Sequence, residues 1–254
     1  MLLGLAFRLG RAPLVRALGA ERVAEARRRA VRELPGILAL LPPTPGKAGA
    51  HYFLSAACHL VAFHRAVGLP AAESTALLRD ALKEASRWVP RPIRWLYRWL
   101  YFQPWFFRRV TDGTFGGGGF EGEAIALGPG AMGVDYTACG IQLFLHRIGE
   151  GELGPHICSL DELESEVFDL GLIRTGTIGR GAPRCDFRWQ RPGSAGSPPA
   201  ALRGPPAGAH PEVGQPALAP PPSGAAVYSP AANSSSMAAV QSASVPTTRK
   251  KGQS

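Results

Sequence analysis

Three cysteines lie close together in the second half of the sequence, at Cys139, Cys158 and Cys185. A thiolate can attack an electrophilic carbon when a nearby base removes its proton, and thiolates can also bind Zn²⁺ together with imidazole. His146 and His156 lie between these cysteines, but their spacing matches no common zinc-binding pattern. Free cysteine is also often buried as a small apolar side chain. The pattern therefore leaves three interpretations open: a nucleophile, a metal site and a core position.

Three aspartates lie near the cysteines in the sequence, at Asp135, Asp161 and Asp186. A carboxylate with a shifted pKa can act as a general base. Asp161 falls in the first turn of a predicted short helix, where a negative charge is also favourable against the helix dipole. Ser159 and Glu162, at the start of the same helix, predict a capping box. Asp161 therefore has a structural explanation as well as a catalytic one.

Acidic and basic side chains alternate with apolar ones near the end of this region. Residues 184–190 have a period of two that predicts a strand, with Asp186 and Arg188 on one face. These two side chains can pair with each other, and Arg174, on a neighbouring predicted strand at 172–178, can join them. Guanidinium groups are well suited to binding a substrate carboxylate. A ladder of surface ion pairs, which contributes little energy, is the alternative.

The N-terminal half has helical periodicity, whereas the C-terminal half mixes helical and alternating segments. The predicted helices are 14–33, 50–67, 70–86 and 135–148. The predicted strands are 106–111, 172–178 and 184–190. Strands and helices do not alternate regularly, so we predict an α+β fold in which a helical N-terminal half packs on a small antiparallel sheet. Four consecutive glycines at 116–119 lack the spacing of a phosphate-binding loop and predict a flexible hairpin or a mobile flap.

Residues 88–107 are unusually rich in aromatic side chains. Trp95, Trp99 and Phe102 fall on one helical face. The same segment carries three arginines: Arg91, Arg94 and Arg98. One interpretation is contact with a membrane surface through residues 91–107, or an aromatic-lined pocket. The other is packing of the aromatic face against the sheet, with the arginines in solvent.

The last 64 residues differ in composition from the rest. In residues 191–254, Pro, Ala, Ser and Gly fill 43 positions, and Tyr228 is the only aromatic residue. Such a segment cannot bury enough apolar surface to fold, so we predict a domain at 1–190 and a disordered tail at 191–254. The tail carries +4 of the total net charge of +9. Because the positive charge is divided in this way, it does not predict a nucleic-acid partner.

Four motifs in residues 135–188 resemble the C-terminal signature of the L-2-amino-thiazoline-4-carboxylic acid hydrolase family. They are Asp135-Tyr136-Thr137-x-Cys139-Gly140, Cys158-x-x-Asp161, Arg174-Thr175-Gly176-Thr177 and Gly181-x-x-x-Cys185-Asp186-Phe187-Arg188. With Leu41-Pro42 and the segment 59–65 upstream, the resemblance extends over about residues 15–190. It implies hydrolysis of a cyclic isothiourea. Water adds to the ring carbon between sulfur and nitrogen, the C–S bond breaks, and N-carbamoyl-L-cysteine forms on a route to cysteine.

The resemblance adds weight to a set of candidate residues. The candidate catalytic residues are Asp161, Cys158, Asp135, Cys139 and Cys185. The candidate substrate-binding residues are Arg174, Arg188, Tyr136 and Asp186. We expect Asp161 or Asp135 to activate water, or Cys158 to attack the ring carbon directly. We expect Arg174 and Arg188 to bind the substrate carboxylate, and Tyr136, or an N–H group near Ser159, to stabilise the developing charge.

An alternative from another class of protein remains open. The segment Cys185-Asp186-Phe187-Arg188 is also similar to the end of 4-vinyl-reductase-like domains, which bind small ligands or metals without catalysis. For the hydrolase we expect a small-molecule substrate and neither a metal nor a cofactor. Cys58 and the other three cysteines form no recognisable pair, and no secretory signal precedes them, so we predict free thiols in the cytoplasm. No charge-free apolar stretch reaches the length of a transmembrane helix.

Overall fold

Helices from the N-terminal half pack around a small antiparallel sheet from the C-terminal half, which confirms the α+β class. This computed structural model describes residues 2–128 and 130–191, so the predicted tail at 191–254 lies outside the described residues except for Arg191. The helices are α1 (Leu2–Arg8), α2 (Arg11–Leu18), α3 (Ala20–Leu38), α4 (Ala48–Val67), α5 (Ala71–Ser86), α6 (Arg91–Tyr101), α7 (Pro104–Asp112), α8 (Gly140–Arg147), α9 (Gly154–Ile157) and α10 (Ser159–Phe168). The strands are β1 (Glu121–Ala126), β2 (Ala131–Ala138), β3 (Leu172–Ile173) and β4 (Cys185–Gln190).

Helix α4 forms the centre of the helical layer. Its buried side chains include Leu54, Cys58, Val61 and Phe63, and α3, α5 and α8 all pack against it. A helix that is apolar on most sides must be surrounded by other elements to leave water. In the described part of the chain, no single helix has the length and apolar character to cross a membrane. Helices α4 and α5 meet that test only as a pair, with a bend of 112° between them.

The sheet has the order β1-β2-β4-β3, and all neighbouring strands are antiparallel. Tyr136 lies opposite Cys185, and Asp135 lies opposite Asp186. Because side chains alternate along a strand, Tyr136 and Cys185 share one face and Asp135 and Asp186 share the other. The alternation predicted at 184–190 is confirmed, and it divides the candidate site residues between two faces of the sheet.

Two predicted elements are wrong. Residues 135–148 are not one helix, because β2 runs to Ala138 and α8 begins at Gly140. The preceding strand is also mostly apolar, so the helical pattern of apolar residues placed the beginning of α8 before Gly140. Residues 106–111 are not a strand but part of α7, in which Pro104 occupies the first turn, a position that favours helix initiation.

Two further boundaries differ from the prediction. The helix predicted at 14–33 is two helices, because Gly19 adopts a φ of 81° that interrupts the helical backbone. The strand predicted at 172–178 is much shorter, because β3 ends at Ile173 and a 3₁₀ turn follows at Ile178–Arg180. The helices predicted at 50–67 and 70–86 are confirmed to within two residues.

The glycine run at 116–119 is a tightly packed turn rather than a free flap. A Cβ atom at Gly118 would lie 2.6 Å from the Leu54 side chain on α4, and one at Gly119 would lie 2.7 Å from Leu143 on α8. Gly140, at the start of α8, lies against the carbonyl oxygen of Gly118. Close approach between backbone segments therefore explains these glycines.

We predict that Gly140→Ala lowers the free energy of unfolding by about 1–3 kcal/mol, because the added Cβ would meet the Gly118 carbonyl oxygen at 2.3 Å and the Phe120 ring at 2.7 Å. Urea denaturation measures this change. The control is Gly36→Ala in α3, whose added Cβ has no neighbour within 4 Å, so this variant should match or slightly exceed the wild-type stability. Equal stability of all three proteins would contradict the close packing at Gly140.

Candidate functional site

The sheet and two helix starts bring the three thiols of the sequence motifs into one region. Cys185 lies in β4 opposite Tyr136 of β2, Cys139 follows β2 at the start of α8, and Cys158 precedes α10. Cys139 raises the pKa of Cys158 and of Cys185, Cys158 also raises the pKa of Cys185, and Asp161 raises the pKa of Cys139 and of Cys158. We call these four residues and Tyr136 the thiol site.

Arg174 is the buried cation of the thiol site, with a side chain that is only 5% exposed. It donates hydrogen bonds to the Asp161 carboxylate at 2.9 Å, to the Cys158 carbonyl oxygen at 2.9 Å and to the Glu162 carboxylate at 3.1 Å. Its guanidinium group also lies 5.0 Å from the centre of the Phe187 ring. A buried guanidinium needs such partners, because an unpaired charge in the interior is costly.

Asp161 is surrounded by protein groups and yet 41% exposed to solvent. Burial raises the pKa of its carboxyl group to about 7, Arg174 opposes that rise, and the Glu164 carboxylate adds to it. A carboxyl group with a pKa near 7 is present in both protonation states at neutral pH, so it can accept a proton and return it. Among the candidate residues, Asp161 thus combines a shifted pKa with access from solvent.

The three thiols of the site are protonated at neutral pH. Burial raises the pKa of Cys158 to about 11 and that of Cys185 to about 12, and it also raises the pKa of Cys139. The N–H groups of Ile141 and Gln142, at the start of α8, favour the Cys139 thiolate but do not outweigh its burial. Since the thiolate is the reactive form, none of these cysteines is activated in the free protein.

Thr177 is a site residue that the sequence did not single out. Its side chain is buried, and within the described ranges its hydroxyl has no hydrogen-bond partner that meets normal geometry. The hydroxyl lies beside the Cys158 thiol and lowers the pKa of that thiol against the larger effect of burial. A buried hydroxyl without a full partner is available to a bound molecule. Its place in the motif that contains Arg174 was the signal that could have identified it.

Asp135 and Arg188 lie on the opposite face of the sheet from the thiol site. The Asp135 side chain is 6% exposed and accepts hydrogen bonds or ion pairs from Arg188 at 2.6 Å and Arg184 at 3.3 Å. Gly133 leaves room for the Arg188 side chain, since a Cβ there would lie 2.8 Å from it. The structure therefore does not bring Arg174 and Arg188 together around one substrate carboxylate, as the sequence had led us to expect.

Asp186 holds the loop that carries Arg174. Its carboxylate accepts hydrogen bonds from the backbone N–H groups of Thr175 at 3.0 Å and Gly176 at 2.7 Å, and from the Thr175 hydroxyl. Asp186 makes these contacts instead of the expected ion pair with Arg188. Asp186 thus positions the neighbouring arginine rather than facing the thiol site itself.

The predicted capping box at the start of α10 is wrong. Ser159 donates its hydroxyl proton to the His156 carbonyl oxygen at 2.7 Å, and Glu162 accepts a hydrogen bond from Arg174. The cause is that α9 leads almost directly into α10 through Cys158, which has helical backbone angles. The residue before α10 therefore does not have the extended backbone that a capping residue adopts.

A second polar cluster lies away from the thiol site. Within residues 2–128 and 130–191, the one group of three ligand-type side chains with donor atoms within 4.8 Å of one another is His64, Glu150 and Glu152. Arg65 already binds Glu150 at 2.6 Å. Ser74 donates its only hydroxyl proton to a backbone carbonyl, so His64 donates from Nδ1 to Ser74 at 2.8 Å and turns Nε2 towards the two glutamates. Contacts among His64, Arg65 and the two glutamates account for this cluster.

Comparison with known families gives one match. The sequence model described as L-2-amino-thiazoline-4-carboxylic acid hydrolase matches residues 62–189, which is 128 of the 254 residues. The matched region contains all of the candidate site residues, and it confirms the family expected from the motifs. No curated protein and no solved structure matches the chain.

We predict that Arg174→Gln lowers the free energy of unfolding by about 1–3 kcal/mol at pH 8, because it removes charged hydrogen bonds from buried partners. The loss should be smaller at pH 5. Arg174 stabilises the charged form of Asp161, whose pKa lies near 7, and below that pH the carboxyl group is neutral. Urea denaturation at both pH values measures the difference. Arg28→Gln in α3 is the control, because its side chain is 66% exposed and pairs with an exposed glutamate, Glu25, so it should change stability little at either pH. The same loss for Arg174→Gln at both pH values would contradict the coupling to Asp161.

Proposed function

Because this chain belongs to the L-2-amino-thiazoline-4-carboxylic acid hydrolase family, we propose that it hydrolyses a cyclic isothiourea such as L-2-amino-thiazoline-4-carboxylate to N-carbamoyl-L-cysteine. The observation that carries this proposal is the pair of Asp161 and Arg174, in which a solvent-accessible carboxyl group with a pKa of about 7 is fixed beside a buried guanidinium. Hydrolysis at neutral pH needs a group that takes a proton from water and then returns it.

In the proposed reaction Asp161 accepts a proton from water as the water oxygen bonds to the ring carbon between sulfur and nitrogen. The C=N electron pair moves to the ring nitrogen, which receives this proton from Asp161. The tetrahedral carbon next expels sulfur: the C–S bond breaks, Asp161 accepts the proton of the hydroxyl group as it becomes the carbonyl of the product, and Asp161 passes that proton to the leaving sulfur. Proton count and charge balance over the two steps, and no oxidant or cofactor takes part.

The other polar groups of the thiol site support this reaction in different ways. Burial raises the pKa of Tyr136, so its phenol is a stable hydrogen-bond donor for charge that develops at the ring. Thr177 offers a second hydroxyl. Arg174 uses three of its five N–H donors inside the protein and keeps others for a substrate carboxylate. Arg188, on the other face of the sheet, is not part of this proposed binding set.

The cysteines support attack by water rather than by a thiol. A protonated thiol is a weak nucleophile, and burial favours the protonated form at Cys158, Cys139 and Cys185. In this proposal the thiols form the walls of a site for a sulfur-containing ring. All four cysteines are free, which agrees with a reducing compartment such as the cytoplasm.

We predict that Asp161→Asn lowers kcat/KM for L-2-amino-thiazoline-4-carboxylate at least about 100-fold, because the amide cannot accept the proton of water. In the wild type, kcat/KM should fall as the pH drops through about 7, where Asp161 becomes protonated. Glu166→Gln is the matched control, since Glu166 lies on the same helix at the surface and pairs with Lys83. Product formation measured from pH 5 to 9, with and without a chelator, tests both claims.

Full activity of Asp161→Asn, or tight substrate binding without turnover by the wild type, would overturn the proposal. The second result would favour the non-catalytic alternative.

We predict that Cys158→Ser keeps kcat within about tenfold of the wild type, because water rather than Cys158 attacks the ring carbon. Intact-protein mass measured during turnover should show no adduct between substrate and enzyme. A loss of more than about 1000-fold together with a trapped adduct in the wild type would show covalent catalysis by the thiol.

A further inference from the structure

Helix α6 exposes apolar side chains on its outer side. We define the outer face of α6 as Ile93, Trp95, Leu96 and Trp99, which are between 42% and 59% exposed. Two more tryptophans flank the helix: Trp88 before it and Trp105 at the start of α7 are also exposed. Isolated exposed apolar residues are common in soluble proteins, but a continuous apolar helix face next to further tryptophans marks a surface that binds something.

Two arginines of α6 contact neighbouring segments. Arg94 donates hydrogen bonds to the carbonyl oxygens of Ser86 at 2.5 Å and Val89 at 3.2 Å, and Arg98 pairs with Asp169. Arg94 is therefore not on a solvated side as expected, whereas Arg98 stays 32% exposed. On a surface helix of a soluble protein, charged side chains normally occupy the outer face and apolar ones the inner face.

The inner side of α6 is filled by tyrosines. Tyr97 packs on Phe168 with ring centres 4.2 Å apart, and Tyr101 packs on Trp189 of β4 at 5.5 Å. The predicted packing of the aromatic segment against the sheet therefore holds for Tyr101, whereas Tyr97 packs on the end of α10. The tryptophans are left outside because the tyrosines already occupy the inner positions.

Exposed arginines lie on α6 and on the helix that follows it. Helix α6 contains no acidic residue, and Arg91 at its start is exposed, as are Arg108 and Arg109 on α7. A surface depression of about 330 Å³ is lined by two tryptophans of the outer face and two arginines: Trp95, Trp99, Arg98 and Arg191. Indole rings beside guanidinium groups suit a surface that is apolar inside and negatively charged at its edge.

We propose that the outer face of α6 inserts into the headgroup layer of an anionic lipid bilayer, with Arg91, Arg108 and Arg109 contacting lipid phosphates. Tryptophan side chains favour the interface between lipid and water, and arginines at the edge of an apolar face bind anionic headgroups. The membrane would cover the apolar face from outside, and the enzyme would remain a peripheral protein on that surface.

Charge argues against two other occupants. A second copy of the chain in a two-fold contact would place the same arginines near one another. The segment 191–254 has a net charge of +4 and offers only one acidic residue to balance them. An anionic bilayer matches both the apolar and the cationic parts of the surface.

The test is sedimentation of the full-length protein with vesicles of phosphatidylglycerol and phosphatidylcholine, compared with phosphatidylcholine alone. We expect binding to the anionic vesicles and a shift of tryptophan emission to shorter wavelength. Trp95→Ser with Trp99→Ser should weaken binding at least about tenfold. Tyr52→Ser, at an equally exposed aromatic residue on α4, is the matched control and should bind like the wild type.

A second pair of variants separates specific contact from general attraction by charge. Replacing Arg91, Arg108 and Arg109 by Gln should weaken binding about 100-fold at low salt. The control replaces three exposed arginines of α3 by Gln: Arg22, Arg27 and Arg32. Equal weakening by both triple variants would overturn the proposal, as would failure of the wild type to bind anionic vesicles. Self-association that the tryptophan variant abolishes, without vesicle binding, would instead assign the outer face to a second copy or another protein.

Discussion

A buried guanidinium group needs hydrogen-bond acceptors for its N–H groups. The acceptors that Arg174 binds determine how the thiol site is built. Its partners are two carboxylates of α10 and the carbonyl oxygen that precedes this helix. Its flat side lies on Phe187 of β4. Arg174 therefore ties the loop after β3 to both the helix and the sheet, and it fixes Asp161 at the edge of the site. Asp186 adds to this constraint by holding the backbone of the same loop.

The same chemical pair occurs on both faces of the sheet with different consequences. On one face, Asp135 is closed off from solvent by Arg188 and Arg184, so its charge is neutralised and it stabilises the sheet. On the other face, Asp161 has one close arginine and remains open to solvent, and its pKa lies near neutrality. Exposure of an aspartate with a shifted pKa to solvent, rather than the presence of an aspartate–arginine pair, distinguishes the proposed catalytic group from the structural one.

Local sequence patterns predicted those helices and strands, and those side-chain faces, that depend on residues close together in the sequence. The period of two at 184–190 placed Cys185 and Arg188 on opposite faces, and helical periodicity at 50–67 predicted the end of α4. Such patterns could not predict contacts between segments that lie far apart in the sequence. The pairing of Arg174 with Asp161, the strand at Asp135 and the inward tyrosines of α6 all depend on which elements meet in space. The family motifs contain the residues of the thiol site, but only the fold separates those that face it from those that position it.

In the proposed reaction Asp161 exchanges a proton near neutral pH. The most direct measurement is the titration of its carboxyl carbon by ¹³C NMR in the full-length protein, with Asp161→Asn used to assign the signal. The structure predicts a midpoint near pH 7, because burial and Glu164 disfavour the carboxylate more strongly than Arg174 favours it. A midpoint near pH 4, the value of an ordinary exposed aspartate, would contradict the assignment of Asp161 as the acid–base group.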